Sequence, residues 1–175
     1  MISLIYVFWM YVLLFAVIGM LRGWAKELLV SFSVIVTLTL NFMLHRFMPV
    51  VKELPDTHIS LFWIRIAVLV TLVYFGYQTV ISVARLQGGS RRENLQDSLF
   101  GMVMGAINGY LIAGSVWYYL DRAGYPFANI IIPPSGDLAT KITTIMNYMP
   151  PHVLGEPAIY FASTIVLIFI LVVYV

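Results

Sequence analysis

Five long apolar runs constrain the fold of this chain more than any other feature of its sequence. A helix needs about 20 consecutive apolar residues to cross a hydrocarbon core about 30 Å thick. The chain is 61% hydrophobic and only 10% charged, whereas a soluble domain is about 25% charged. The sequence therefore predicts an all-α, polytopic transmembrane helical bundle of about five spans. The predicted spans are residues 3–21, 28–48, 60–84, 99–120 and 158–175.

Composition and motifs exclude several classes of chemistry. The chain has no cysteine, which rules out disulfides, thiolate metal ligands and thiol nucleophiles. Its net charge of +2 gives no indication of a nucleic-acid partner. It carries no phosphate-binding glycine loop, no nucleotide fingerprint and no metal-binding histidine spacing. We therefore expect no enzymatic activity, no metal site, no intrinsic cofactor and no soluble small-molecule substrate. His45 is a weak candidate ligand for a haem or chlorophyll, although hydrogen bonding at the membrane interface is the commoner role.

The longest connection between spans, residues 121–157, contains six of the eight prolines. Four apolar side chains recur in it at helical spacing, which predicts a short amphipathic helix near residues 137–149. This helix either lies in the membrane interface or packs over the ends of the spans, and the two alternatives are compatible. The apolar residues are Leu138, Ile142, Ile145 and Met149.

Small residues form a stripe along the fourth span. When they repeat every fourth position they leave a groove, and another helix backbone can approach closely there. A shorter stripe ends the first span, and we expect the two stripes to help pack the hairpins together. The long stripe comprises Gly101, Gly105, Gly109 and Ala113, and the short one comprises Gly19 and Gly23.

Two polar residues stand out within the predicted spans. Asn108 lies in the middle of the fourth span, where an amide usually forms a hydrogen bond between helices worth about 0.6–2 kcal/mol. A substrate or quinone contact is the alternative for Asn108. Apart from Arg46 at the end of the second span, Arg65 is the one charge inside a predicted span, and it either snorkels to the interface or pairs with an acid. Its candidate partners are Asp56, Glu53 and Asp121. No carboxyl group lies in the middle of a predicted span, which argues against a self-sufficient proton pump.

The basic residues of the short loops predict the orientation of the chain. Lys and Arg are enriched in short cytoplasmic loops. The first and third connections carry five of them, whereas the short second connection carries two. The N-terminus is therefore predicted to lie outside and the C-terminus in the cytoplasm. The five are Arg22, Lys26, Arg85, Arg91 and Arg92.

Residues 19–28, Gly-Met-Leu-Arg-Gly-Trp-Ala-Lys-Glu-Leu, resemble the glycine–arginine–glycine signature of the colicin V production protein family. Asp97, followed by glycines at every fourth position, is similar to that family's last shared span. The resemblance covers about residues 1–150 and implies a four-span bacterial inner-membrane protein with no catalytic mechanism. Residues 158–175 form a predicted transmembrane helix beyond this pattern. The polar motif positions are Arg22, Lys26, Glu27 and Asp97, and we expect Asp97 to bond Arg22 or Lys26.

Two functions from different classes fit these features. The favoured one is a non-catalytic scaffold or accessory subunit of a larger photosynthetic or respiratory membrane assembly. Its expected partners are membrane lipids and other transmembrane subunits, with contacts to lipid or pigment. The alternative is a stand-alone envelope protein of the colicin V production type, acting in export or stress homeostasis. A small channel or transporter is less favoured, because no inverted repeat of interrupted helices is visible.

Overall fold

The computed structural model describes residues 4–78, 91–127, 130–131, 133 and 135–174. Within these residues the secondary structure is helical, with no strand. Four helices are long and apolar enough to cross a membrane, which confirms the predicted all-α membrane fold. They are α1 (Leu4–Arg22), α2 (Trp24–Phe47), α4 (Ile59–Gln78) and residues 95–122 of α5 (Arg91–Arg122), and the remaining helices are α3 (Pro49–Lys52), α6 (Asp137–Met146), α7 (Pro150–Val153) and α8 (Ala158–Tyr174).

A single residue, Gly23, separates α1 from α2. Its φ of +86° lies in the left-handed region, which glycine adopts far more readily than other residues. The Gly23 N–H donates to Gly19 O at 2.9 Å and so closes the last turn of α1. Because the chain re-enters a helix at Trp24, α2 begins four residues before the predicted start of the second span. Lys26 and Glu27 are therefore helical and do not belong to a loop.

The other two long spans also differ from their predicted limits. α5 begins at Arg91, eight residues before the predicted span, because a polar helical segment precedes its apolar run. α4 extends at least to Gln78, and the remainder of the predicted third span lies outside the described residues. Arg85, which supported the predicted orientation, lies outside them as well.

The last helix, α8, is shorter than the four spans. Its 17 residues correspond to about 25 Å at 1.5 Å per residue, less than the roughly 30 Å of a hydrocarbon core. A fifth crossing of the membrane therefore stays a prediction. α8 is partly covered by its own chain, because Ile159 and Val166 are buried. Phe42 and Tyr160 also form an edge-to-face ring pair with centroids 5.9 Å apart.

The predicted amphipathic helix is present but shorter than expected. α6 ends at Met146, and a turn leads from it to α7. Met146 and Met149 are buried, whereas Leu138 is exposed. The packed alternative therefore describes the C-terminal part of this segment.

The chain divides into two compact units. Unit 1 combines α1 with the first part of α2, the end of α4 and most of α5. Unit 2 contains the other parts of α2, α4 and α5, together with the short helices and α8. Unit 1 comprises Met1–Val34 and Thr71–Gly114, and unit 2 comprises Ile35–Val70 and Ser115–Val175.

Candidate functional site

In unit 1 the short glycine stripe of α1 lies directly against the long stripe of α5. A Cβ atom added to Gly19 would lie 2.7 Å from Gly105 Cα and would overlap Gly101 O. A Cβ added to Gly105 would overlap Phe15 O. Side-chain carbons do not approach backbone atoms this closely, so the spacing of the two helices requires glycine at these positions.

The contact between α1 and α5 continues on both sides of Gly105. Gly109 faces Val12, whose Cα would lie 2.8 Å from an added Cβ. Gly101 faces Gly23, whose carbonyl carbon would lie 3.1 Å away. Positions in α1 therefore rise as positions in α5 fall, which makes the two helices antiparallel. Ala113, the last residue of the predicted stripe, is half-buried.

Beside this contact, α2 and α5 are joined by a buried polar bond. Glu27 and Asn108 are both fully buried. Asn108 Nδ2 donates to Glu27 Oε2 at 2.8 Å and to the Glu27 carbonyl oxygen at 2.8 Å. Ser31 Oγ donates to Asn108 Oδ1 at 2.7 Å. Both N–H donors and the oxygen of the Asn108 amide are thereby satisfied, as a buried amide requires.

Arg22 supplies the positive charge next to the buried Glu27 carboxylate. Arg22 Nε lies 3.1 Å from Glu27 Oε1, although the N–H is not aligned for a hydrogen bond. The contact is therefore an ion pair held by distance and charge. The Arg22 side chain is 25% exposed, so its guanidinium keeps contact with the surroundings while neutralising the acid.

Tyr77 of α4 completes the network. Its ring lies under the Arg22 guanidinium, with Cζ 4.3 Å from the ring centroid. Arg22 Nη2 also donates to the Tyr77 carbonyl oxygen at 3.3 Å. The Tyr77 hydroxyl donates to Glu27 Oε2 at 3.5 Å, a long and weak bond. Cation–π stacking of this kind stabilises a partly buried arginine, and it joins α4 to the other three helices.

Asp97 has a different hydrogen-bond partner from the one predicted. One of its carboxylate oxygens, Oδ1, accepts a hydrogen bond from the Trp24 backbone N–H at 3.2 Å. The carboxylate also covers Gly23, where an added Cβ would overlap it. The expected bond from Asp97 to Arg22 is wrong, because Arg22 pairs with Glu27. Lys26, the other expected partner of Asp97, is half-buried. The carboxylate instead caps the first free N–H of α2, a favourable position for an anion.

The buried position of Glu27 was not predicted from the sequence, which placed it in the connection between two spans. We expected no carboxyl group in the middle of a span, and Glu27 agrees with this because it lies in the first turn of α2, but its full burial was not expected. It was missed because it follows a charged turn typical of a loop. The spacing of Glu27 and Ser31, four residues apart on one helix face, is the signal that could have revealed it. Tyr77 gave no comparable signal.

Unit 2 holds the remaining candidate residues. Arg65 Nη2 lies 2.9 Å from Asp56 Oδ1, so Asp56 is the acid that Arg65 meets. His45 Nε2 lies 4.0 Å from the same oxygen. Asn41 Nδ2 donates to the Arg65 carbonyl oxygen at 3.3 Å and to Tyr119 Oη at 3.4 Å. In the described part of the chain, no group of three acidic or histidine side chains is placed to hold a metal ion.

The glycine contact and the charged turn between α1 and α2 are the features on which the family resemblance depends. The model of the colicin V production protein family matches residues 6–132, a range that runs through all four long apolar helices. Searches of the curated proteins and of the solved structures find no match. Because the matched range covers more than half of the chain and includes both features, this multi-pass membrane protein belongs to the colicin V production protein family.

Proposed function

We propose that this protein is a non-catalytic, stand-alone protein of the bacterial inner membrane that acts in export or in envelope stress homeostasis. The observation that carries the proposal is the family match through all four long apolar helices. The match points to an envelope protein of the colicin V production type and gives no indication of a scaffold role in a larger assembly. This favours the envelope role over the accessory role that the glycine stripes and the lack of catalytic motifs favoured.

The buried network supports a structural role for its residues. A general acid or base must come within hydrogen-bond reach of the proton that it transfers. Glu27 is fully buried and is already engaged by Arg22 and Asn108. We therefore assign these residues to holding α1, α2 and α5 together, and we assign no catalytic step to them.

Complementation tests the export and stress roles. The chain is produced in a bacterium that lacks its own colicin V production protein, and colicin V release and survival under detergent stress are measured. We expect the chain to restore at least one of the two. Gly105→Leu places a large side chain where α1 and α5 meet and should abolish the restored phenotype. Met102→Leu, on the exposed face of α5, should retain it. A chain that inserts normally and restores neither phenotype would contradict the proposal.

Purification from native membranes separates the stand-alone role from the accessory role. In mild detergent we expect a 19.8 kDa chain, alone or as an oligomer of itself, without pigment absorption. Stoichiometric recovery of respiratory or photosynthetic subunits would instead favour the accessory role. A haem or chlorophyll band lost on His45→Ala, or a bound quinone lost on Asn108→Ala, would identify those residues as cofactor contacts. Flux of a solute through liposomes that contain only this chain would favour transport.

Orientation is testable because the chain has no cysteine of its own. We propose that Thr57, in the connection between α3 and α4, lies outside and that Ser90 lies in the cytoplasm. A membrane-impermeant maleimide should label Thr57→Cys in spheroplasts and Ser90→Cys only after lysis. The reverse pattern would invert the proposed topology.

A further inference from the structure

Unit 2 contains a polar cavity that the family match does not explain. Its volume is about 180 Å³, and it is lined by the end of α2, the start of α4, the end of α5 and the segment around α7. One water molecule needs only about 10–15 Å³ of such space. Asp56 and His45 are half-exposed in its wall, so the cavity opens to the surface and has room for a polar group much larger than water.

One residue that lines the cavity, Asn41, has an acceptor without a donor. Asn41 is only 6% exposed, and in the part of the chain that the structure describes its Oδ1 has no hydrogen-bond partner. Exchanging the amide oxygen and nitrogen would not help, because Nδ2 already donates to the Arg65 carbonyl oxygen. Buried polar atoms are nearly always paired, so Oδ1 needs a donor that the described residues do not supply.

The charges of the wall favour an anion. Asp56 is matched by Arg65, which lies 2.9 Å away. Arg122 adds a second guanidinium, and its Nε–H donates to Tyr118 Oη at 3.1 Å. Its two Nη groups can therefore donate to a further acceptor, and a guanidinium fork matches the geometry of a phosphate or carboxylate. With one acid and two arginines, the lining carries a net positive charge.

We propose that this cavity binds a phosphodiester headgroup that carries its own hydroxyl or ammonium donor. The phosphodiester oxygens accept hydrogen bonds from Arg122, and the hydroxyl or ammonium group donates to Asn41 Oδ1. The wall is built from the ends of candidate membrane spans, where lipid headgroups lie. A phospholipid is therefore the expected source, and a free glycerophosphodiester such as sn-glycero-3-phosphoethanolamine carries the same chemistry. The site is independent of the export role.

Binding is measured on the whole chain in detergent, by native mass spectrometry and by ligand-induced shifts in melting temperature. The probes are phosphatidylglycerol, phosphatidylethanolamine, phosphatidylcholine and the soluble phosphodiester sn-glycero-3-phosphoethanolamine. We expect the first two lipids to bind at least tenfold more tightly than phosphatidylcholine, whose quaternary ammonium has no N–H to donate. If the free glycerophosphodiester binds as tightly as the lipids, the source is a soluble phosphodiester and not the membrane.

Two variants locate the site. Arg122→Gln should weaken binding of both donor-bearing lipids at least tenfold, and it should fold normally because Arg122 is exposed at the end of α5. Asn41→Leu should remove the preference over phosphatidylcholine. Arg46→Gln is the matched control, because Arg46 pairs with Glu156 and does not line the cavity. Equal binding of all three lipids, or unchanged binding by a folded Arg122→Gln protein, would overturn the proposal.

Discussion

Glu27 Oε2 and Asn108 Nδ2 lie 2.8 Å apart in a fully buried contact between residues 81 positions apart in the chain. A buried carboxylate is strongly unfavourable unless it is paired and hydrogen-bonded. The packing of α2 on α5 in unit 1 therefore depends on the side chains of Glu27 and Asn108, and each can be substituted separately.

Asn108→Ala should destabilise the protein by about 1–3 kcal/mol, because Glu27 and Ser31 lose their shared partner inside the bundle. Asn147→Ala is the control, since Asn147 is exposed at the end of α6. Denaturation in detergent micelles measures both variants. An equal loss of stability in the two would show that the buried amide contributes nothing specific.

Arg22→Gln should be more damaging than Glu27→Gln. Removing Arg22 leaves a fully buried carboxylate without its counter-charge, which costs about 3–5 kcal/mol for a buried pair. Removing the charge of Glu27 leaves an arginine that is 25% exposed and can turn toward the surroundings. The double variant should be more stable than Arg22→Gln alone. A simple sum of the two single losses would contradict the ion pair.

Gly105→Ala should cost about 1–3 kcal/mol or more, because the added methyl group meets the Phe15 carbonyl oxygen and the backbone of Gly19. The backbone cannot move aside as a flexible side chain would. Met102→Leu, on the exposed face of the same helix, should leave the melting temperature within about 1 °C of the parent, as expected for a surface substitution. Equal melting temperatures for both variants would show that the close helix approach is not required.

Asp56→Asn should lower stability by about 0.5–1 kcal/mol through loss of the pair with Arg65, a side chain that is 13% exposed. Arg46→Gln, which removes a pair exposed on both sides, should cost about 0–0.5 kcal/mol. The order of the two losses, measured in the same detergent, is the outcome that matters. The reverse order would show that burial of Arg65 does not strengthen its ion pair.

Alkaline pH should destabilise the loop that follows α5. Burial raises the pKa of Tyr125 from 10.0 to about 12, and its hydroxyl donates to Asp121 Oδ1 at 3.0 Å. Because the folded state favours the neutral phenol, this stabilisation is complete below pH 10 and is lost as the pH rises from 10 to 12. Tyr125→Phe should show a shallower decline in melting temperature over that interval. Parallel declines would exclude this titration as a cause.

The sequence predicts features that repeat locally. An apolar run reveals its own length, which is why four spans are evident. Small residues at every fourth position are equally visible, and α1 and α5 meet along them. The helix limits were harder to predict, because Lys26 and Glu27 resemble loop residues although Gly23 alone makes the turn.

Partners across the chain were not predictable from local pattern. Asp97 and Arg22 were paired in the prediction because they carry opposite charges and lie on one predicted membrane face. In the structure Asp97 accepts a hydrogen bond from the Trp24 N–H, and Arg22 forms an ion pair with the buried Glu27. This exchange depends on the left-handed backbone at Gly23, which orients the first N–H groups of α2. The unsatisfied oxygen of Asn41 also depends on the positions of Arg65 and Tyr119, which no spacing encodes.

The single-residue turn at Gly23 has a consequence for how the protein is made. α1 and α2 are synthesised before α5, and Asn108 follows Glu27 by 81 residues. At a synthesis rate of about 5–20 residues per second, Asn108 is added roughly 4–16 s after Glu27. During that interval Arg22 is the near neighbour of opposite charge for Glu27. The buried hydrogen bonds between α2 and α5 form only after α5 has been synthesised.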